Sequence, residues 1–140
     1  MNRYGMLFAT GISLVAVHQA YAQDATQNAE IVAAIQTQLE AFKRDDAAAA
    51  FGQAAPSIKG MFPNDVAFME MVKRGYQPVY RQRSYEFTDL KETNLGLTQS
   101  VRIIDSMGEA WNAVYRVEKQ GDGSWKISGC WLFKIPQTGT

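Results

Sequence analysis

Histidine and cysteine are nearly missing from this 140-residue chain, which has one of each, His18 and Cys130. One histidine cannot build the imidazole-rich sites that hold zinc or copper. His18 also falls in an apolar N-terminal stretch, so a domain beginning after it has no histidine, and imidazole-based triads and dyads are excluded. One cysteine permits no intrachain disulfide and no thiolate cluster. An excess of either charge is lacking as well, with 14 basic residues against 14 acidic. Such a balance gives no global basic field to draw nucleic acid or an anionic membrane. Internal repeats are absent, and the alanines at 47–50 are the only low-complexity tract. No metal and no cofactor is therefore expected.

What is present begins with the N-terminus. Residues 1–5 carry one positive charge, Arg3, and residues 6–17 are uncharged and mostly apolar. Ala20 and Ala22 place small residues where a signal peptidase reads. The apolar stretch is about a dozen residues, short of the roughly 20 that a spanning helix needs. This layout predicts a leader over residues 1–22, cleaved after Ala22, and one domain over residues 23–140 in the periplasm or outside the cell. Loss of Arg3 leaves 13 basic residues against 14 acidic, a net charge near −1. No second apolar span follows, and about 118 residues suffice for one core.

Ile31, Ile35, Leu39 and Phe42 recur at a helical period. That helix is expected to end near Lys43 and Arg44, where basic side chains suit its negative end. Asp45 or Asp46 then caps a second helix over 47–53, which Pro56 ends. A third starts after Pro63, capped by Asn64 or Asp65, and runs to Gly75 as a left-handed C-terminal cap. Beyond Gly75 the period becomes two, in four runs: Tyr85 and Phe87; Leu95, Leu97, Val101 and Ile103; Trp111, Ala113, Tyr115 and Val117; Trp125, Ile127, Trp131, Phe133 and Ile135. Met107-Gly108 and Gly121-Asp122-Gly123 read as hairpin turns. Helices first and strands after predict an α+β fold, three N-terminal helices packed on a four-stranded antiparallel sheet.

That order, with the helix ending in Leu39-Glu40-Ala41-Phe42, Asp46 before an alanine-rich turn, and the hairpin at residues 123–127, resembles the nuclear-transport-factor-2-like superfamily, which includes the SnoaL-like cyclases and ketosteroid isomerases. The resemblance implies a curved sheet and a cone-like shape. A narrower likeness rests on Ala41-Phe42 through Asp46 to Phe51, on Gly75-Tyr76-x-Pro78-Val79-Tyr80-Arg81-x-Arg83-Ser84-x-Glu86-Phe87, and on Trp125-x-Ile127-Ser128-Gly129-Cys130. These motifs resemble an uncharacterised bacterial family, domain of unknown function 4864. It implies a fold and a bacterial, periplasmic setting, and brings no activity.

Three groups of residues are candidates for a site. Residues 76–83 bring together Tyr76, Tyr80, Arg81 and Arg83. The guanidinium forks suit a carboxylate or phosphate, and the tyrosines would flank a ligand. Equally, the tyrosines plug the core rim and the arginines pair with nearby carboxylates. Counting in twos, Asp89, Gln99 and Tyr115 share a face with Tyr85, Phe87, Trp111 and Trp131. Polar groups there need partners, water or a cavity. By analogy with the superfamily's enzymes, Asp89 would be a base and Tyr115 a hydrogen-bond donor; the alternative is an exposed turn aspartate and a core tyrosine. Cys130 falls on the opposite parity with Lys126, Ser128, Leu132 and Val114, where it is a small hydrophobe, a reactive thiol or part of a dimer face.

The leading expectation is a non-catalytic domain that binds a small apolar or amphipathic ligand, or a protein partner. Tyr76, Tyr80, Arg81, Arg83, Gln99, Trp111, Tyr115 and Trp131, with Phe133, would line or rim its pocket. The alternatives are an isomerase or cyclase working through Asp89 and Tyr115, and a homodimeric interaction protein using the outer sheet face.

Overall fold

In the computed structural model, which describes residues 13–137 and the side chains of residues 24–137, helices precede strands. The apolar period builds α1 (Ser13–Lys43), and Ile31, Ile35, Leu39 and Phe42 are all buried. At about 1.5–3 kcal/mol for each such side chain, this stripe fastens the helix to the body. Of the leader expected over residues 1–22, residues 1–12 lie outside the described residues, and from Ser13 the backbone is helical. None of the described helices is long and apolar enough to cross a membrane.

A tight reversal follows α1. Asp45 takes a φ of 56°, and Asp46 is the N-cap of α2 (Ala47–Gly52), accepting the Ala49 N–H at 3.0 Å. Such a cap contributes about 1 kcal/mol. Pro56, expected only to end this helix, starts another, α3 (Pro56–Lys59), because its fixed φ suits a first turn. Asn64 caps α4 (Asp65–Gly75) through the Ala67 N–H at 2.9 Å. Gly75 ends α4 without the expected left-handed turn; the chain passes through Tyr76 into α5 (Gln77–Tyr80), with Pro78 in its first turn. Among the described residues five helical segments therefore stand where three were expected, and each addition is a single turn with proline at its start.

The strands β1 (Ser84–Thr93), β2 (Gly96–Ile104), β3 (Ala110–Lys119) and β4 (Trp125–Lys134) lie side by side in chain order, all antiparallel. Gly108 and Gly123 turn the two expected hairpins at φ 83° and 87°. Two bulges interrupt the alternation. In β1 the pairing jumps from Phe87 with Val101 to Leu90 with Gln99. In β4 it jumps from Val117 with Ile127 to Arg116 with Gly129, leaving Ser128 extra. An extra residue moves every later side chain to the other face.

The second bulge corrects the expected faces of β4. Cys130 and Leu132 pair with Tyr115 and Ala113 on the core face, while Trp131 and Phe133 pair with Val114 and Asn112 on the outer one. The first bulge makes Leu90, rather than Asp89, follow Phe87 on the core face. Residues leaving α2 shield the start of β4. There the Ala55 N–H bonds Ile127 O and the Ile127 N–H bonds Gln53 O, both at 2.8 Å. Covering strand backbone in this way blunts an edge.

Candidate functional site

Between the helices and the core face of the sheet lies a half-open cavity of about 240 Å³. Phe42 of α1, Ile58 of α3, Phe68, Met71 and Val72 of α4, and Ile127 of β4 form apolar walls. Phe62 meets Phe68 edge-on at 5.6 Å, fixing the wall between α3 and α4. Met61 stands at the mouth, 71% exposed. None of the described residues lining the cavity is Asp, Glu, Lys, Arg or His.

Four polar side chains line the cavity: Gln38, whose Nε2 bonds Ala50 O at 3.1 Å, and Tyr115, Cys130 and Tyr76. Tyr115 is 1% exposed, and its Oη has no hydrogen-bond partner. The Cys130 thiol interacts with that phenol but lies outside hydrogen-bond geometry. Tyr76 donates its hydroxyl to Cys130 O at 3.3 Å. Burial drives the pKa directions here, because desolvation disfavours charge. It raises Tyr115 well above the ordinary tyrosine value, raises Tyr76, and pushes the Cys130 thiol up to about 12 despite the opposing effect of the Tyr115 hydroxyl. Such a thiol stays protonated at neutral pH and is not a nucleophile.

Of the residues singled out as site candidates from sequence, the structure brings Tyr76, Tyr115 and Cys130 to the cavity wall, Cys130 from the face opposite to the one expected. Tyr80 is buried and donates its hydroxyl to Asp45. Arg81 is occupied by the fold. Its Nη2 bonds Asp45 Oδ2 at 2.7 Å and its Nη1 bonds Phe42 O at 2.7 Å, a cation set at the C-terminal end of α1. Arg83 reaches Ser106 O at 3.0 Å on the surface. Arg81 is thus paired with a carboxylate, while Arg83 bonds a backbone carbonyl. Gln99 is buried in the sheet, its Nε2 bonded to Ser100 O at 2.8 Å. Trp111 donates Nε1–H to Asp105 Oδ2 at 2.9 Å. Trp131 lies on the outer face, with the Arg116 guanidinium 5.5 Å from its ring centre. Asp89 sits in the β1 bulge, exposed, and does not line the cavity, whereas Tyr115 is buried and does.

Sequence reasoning missed the helical walls. Their signal was the run of large flexible and aromatic residues Ile58, Met61, Phe62, Phe68 and Met71, whose unbranched methionines fill irregular gaps.

A domain with helices laid on one face of an antiparallel sheet and a half-open apolar cavity between them is the class that fold and site define. The chain belongs to the family described as "Domain of unknown function (DUF4864)", whose profile matches residues 24–140. No curated protein and no solved structure shows a match to it.

Proposed function

We propose that this domain is a non-catalytic binder of a small apolar or amphipathic molecule, held in the cavity between α4 and the sheet. The observation that carries this reading is the cavity itself: apolar walls, an open mouth and one buried hydroxyl without a partner. Binding sites for small molecules have this character, mostly apolar with a few polar groups. An acid–base enzyme would need a titratable group beside the bound molecule. Among the described residues no carboxylate lines the cavity, and burial keeps both tyrosines and the thiol protonated at neutral pH. The cone-like arrangement of the nuclear-transport-factor-2-like superfamily is part of the same proposal, supported by the order of helices and strands. So is action in the bacterial periplasm after cleavage following Ala22, supported by the charged, apolar and small-residue succession of the first 22 residues.

One experiment addresses both. The full chain is expressed in a bacterial host, recovered from the periplasmic fraction under mild conditions and examined by native mass spectrometry. The expected result is a polypeptide beginning at Gln23 that carries a small extra mass lost on denaturation. A chain retained in the cytoplasm at full length would overturn the export reading. An unliganded chain whose melting temperature no cavity-sized apolar compound raises would overturn the binding reading.

A further inference from the structure

Resting on the binding reading above, we infer that the cavity takes a straight hydrocarbon chain. The ligand is a single-chain amphiphile that enters tail first and leaves its polar head outside, at the mouth beside Met61.

The wall decides the chemistry of the buried end. Its accessible surface is mostly apolar, and among the described residues no charged side chain contributes to it. The polar residues in the lining are committed to the fold. Gln38 is buried and spends an Nε2–H on Ala50 O at 3.1 Å. Tyr76 spends its O–H on Cys130 O at 3.3 Å. The Tyr115 hydroxyl has no partner, but it is sealed beneath the surface and out of a ligand's reach. The Cys130 thiol is a weak donor at best. A hydroxyl or amide carried to the inner end would exchange water for hydrocarbon, and a charged group would do so at far greater cost. The end of the ligand that enters is therefore hydrocarbon.

Size and shape decide where the rest goes. A dry protein cavity of about 150 Å³ holds benzene, so about 240 Å³ holds roughly ten non-hydrogen atoms. A molecule with that much hydrocarbon travels through water only if it also carries a polar group. The place left for that group is the half-open mouth, where Met61 is exposed to solvent. A chain suits these walls better than a ring. Phe68 already packs against Phe51 at 5.2 Å and Phe62 at 5.6 Å between ring centres, so the aromatic wall is engaged with itself. Met61 and Met71 supply unbranched, adaptable side chains to the lining. A flexible tail can follow such a wall, whereas a rigid ring needs a slot already shaped for it.

The test is an NMR titration with hexanoate, octanoate, decanoate and dodecanoate, each below its micelle concentration. Three further probes are 10-hydroxydecanoate, decyltrimethylammonium and butylbenzene. Affinity for the alkanoates is expected to rise about three- to fourfold per added CH₂. It should level off beyond decanoate, where further carbons lie outside the cavity. 10-Hydroxydecanoate, polar at both ends, should bind about tenfold or more weakly than decanoate. Decyltrimethylammonium should bind within a few-fold of decanoate, because either head stays in water. Shifts should centre on Ile58, Val72 and Ile127 of the lining and spare Val114 on the outer sheet face. Affinity that does not grow with chain length would overturn the chain assignment. So would 10-hydroxydecanoate binding as tightly as decanoate, which would mean that a polar group of the wall, Gln38 Oε1 foremost, is open to the ligand. Decyltrimethylammonium that fails to bind would overturn the placement of the head. In each of these cases binding of butylbenzene spares the cavity. Failure of every probe, butylbenzene included, would overturn the binding reading itself.

Discussion

Asp45 joins two elements at one residue. It stands just past α1 at φ 56°, a conformation that aspartate and asparagine tolerate better than most residues. Its carboxylate accepts the Tyr80 hydroxyl and pairs with Arg81, so α5 is tied to the end of α1. The Tyr80 bond first, and the Arg81 bond after it, hold Asp45 below the ordinary value of 3.8, and the same contact raises Tyr80. A carboxyl lowered in the folded state stabilises fully above its unfolded value, and this is lost as pH falls through the lowered one. Asp45→Asn keeps the backbone preference and removes the charge. Its melting temperature should lie below wild type at pH 7, and the gap should close as pH drops below 3.8. Thermal unfolding of both proteins from neutral to strongly acid pH checks this; a constant gap would mean that charge is not what Asp45 supplies. The sequence shows Asp45 and Asp46 as equivalent capping candidates. What separates them is a backbone angle and a partner 35 residues away in Tyr80, neither of which local pattern carries.

At the scale of elements, strand positions were legible and strand faces only in part. The period-two runs located the strands because apolar side chains on one face must alternate. A bulge leaves that pattern almost intact while reversing everything after it, and Ser128-Gly129 in β4 is such a place. Gly129 is the local cue. Trp131 folds back over it on the outer face, so that a Cβ there would meet the indole at 2.8 Å. The ring is rigid and cannot yield by bending. Gly129→Ala should therefore cost about 1–3 kcal/mol, as overpacking does. Urea unfolding of the single variant and of Gly129→Ala with Trp131→Ala makes the comparison. With the indole gone, the alanine should cost little, and an equal penalty in both backgrounds would locate the strain in the backbone instead. The proline-started turns α3 and α5 were hidden for another reason: four residues are too few to show a helical period, and proline reads as an interruption before it reads as a first turn.

For the whole molecule, the cavity arises where three elements fail to close completely. Phe42 of α1 and Tyr115 of β3 line it with Phe68, Met71 and Val72 of α4, and the α3–α4 connection leaves Met61 exposed at its mouth. Such a space is a property of packing, and periodicity cannot report it. Tyr115 was visible in the sequence as a polar residue on an apolar strand face and Tyr76 as a member of the 76–83 segment, whereas the run of methionines and aromatics that forms the helical walls reads as ordinary core. Two surface substitutions separate the cavity from the outer sheet face as the working surface. Met61→Asp puts a charge at the apolar mouth, and Phe133→Asp puts one on the outer face, at a residue 56% exposed. Exposed positions of this kind change stability by about 0.5 kcal/mol or less, so both variants should fold. In an NMR titration with butylbenzene, an apolar probe of cavity size, Met61→Asp should weaken binding several-fold, because the charge must be passed or desolvated as the ligand enters. Phe133→Asp should leave that affinity unchanged. The reverse pattern would place the binding surface on the sheet's outer face, with Val114 and Trp131, and leave the cavity as an imperfection of packing.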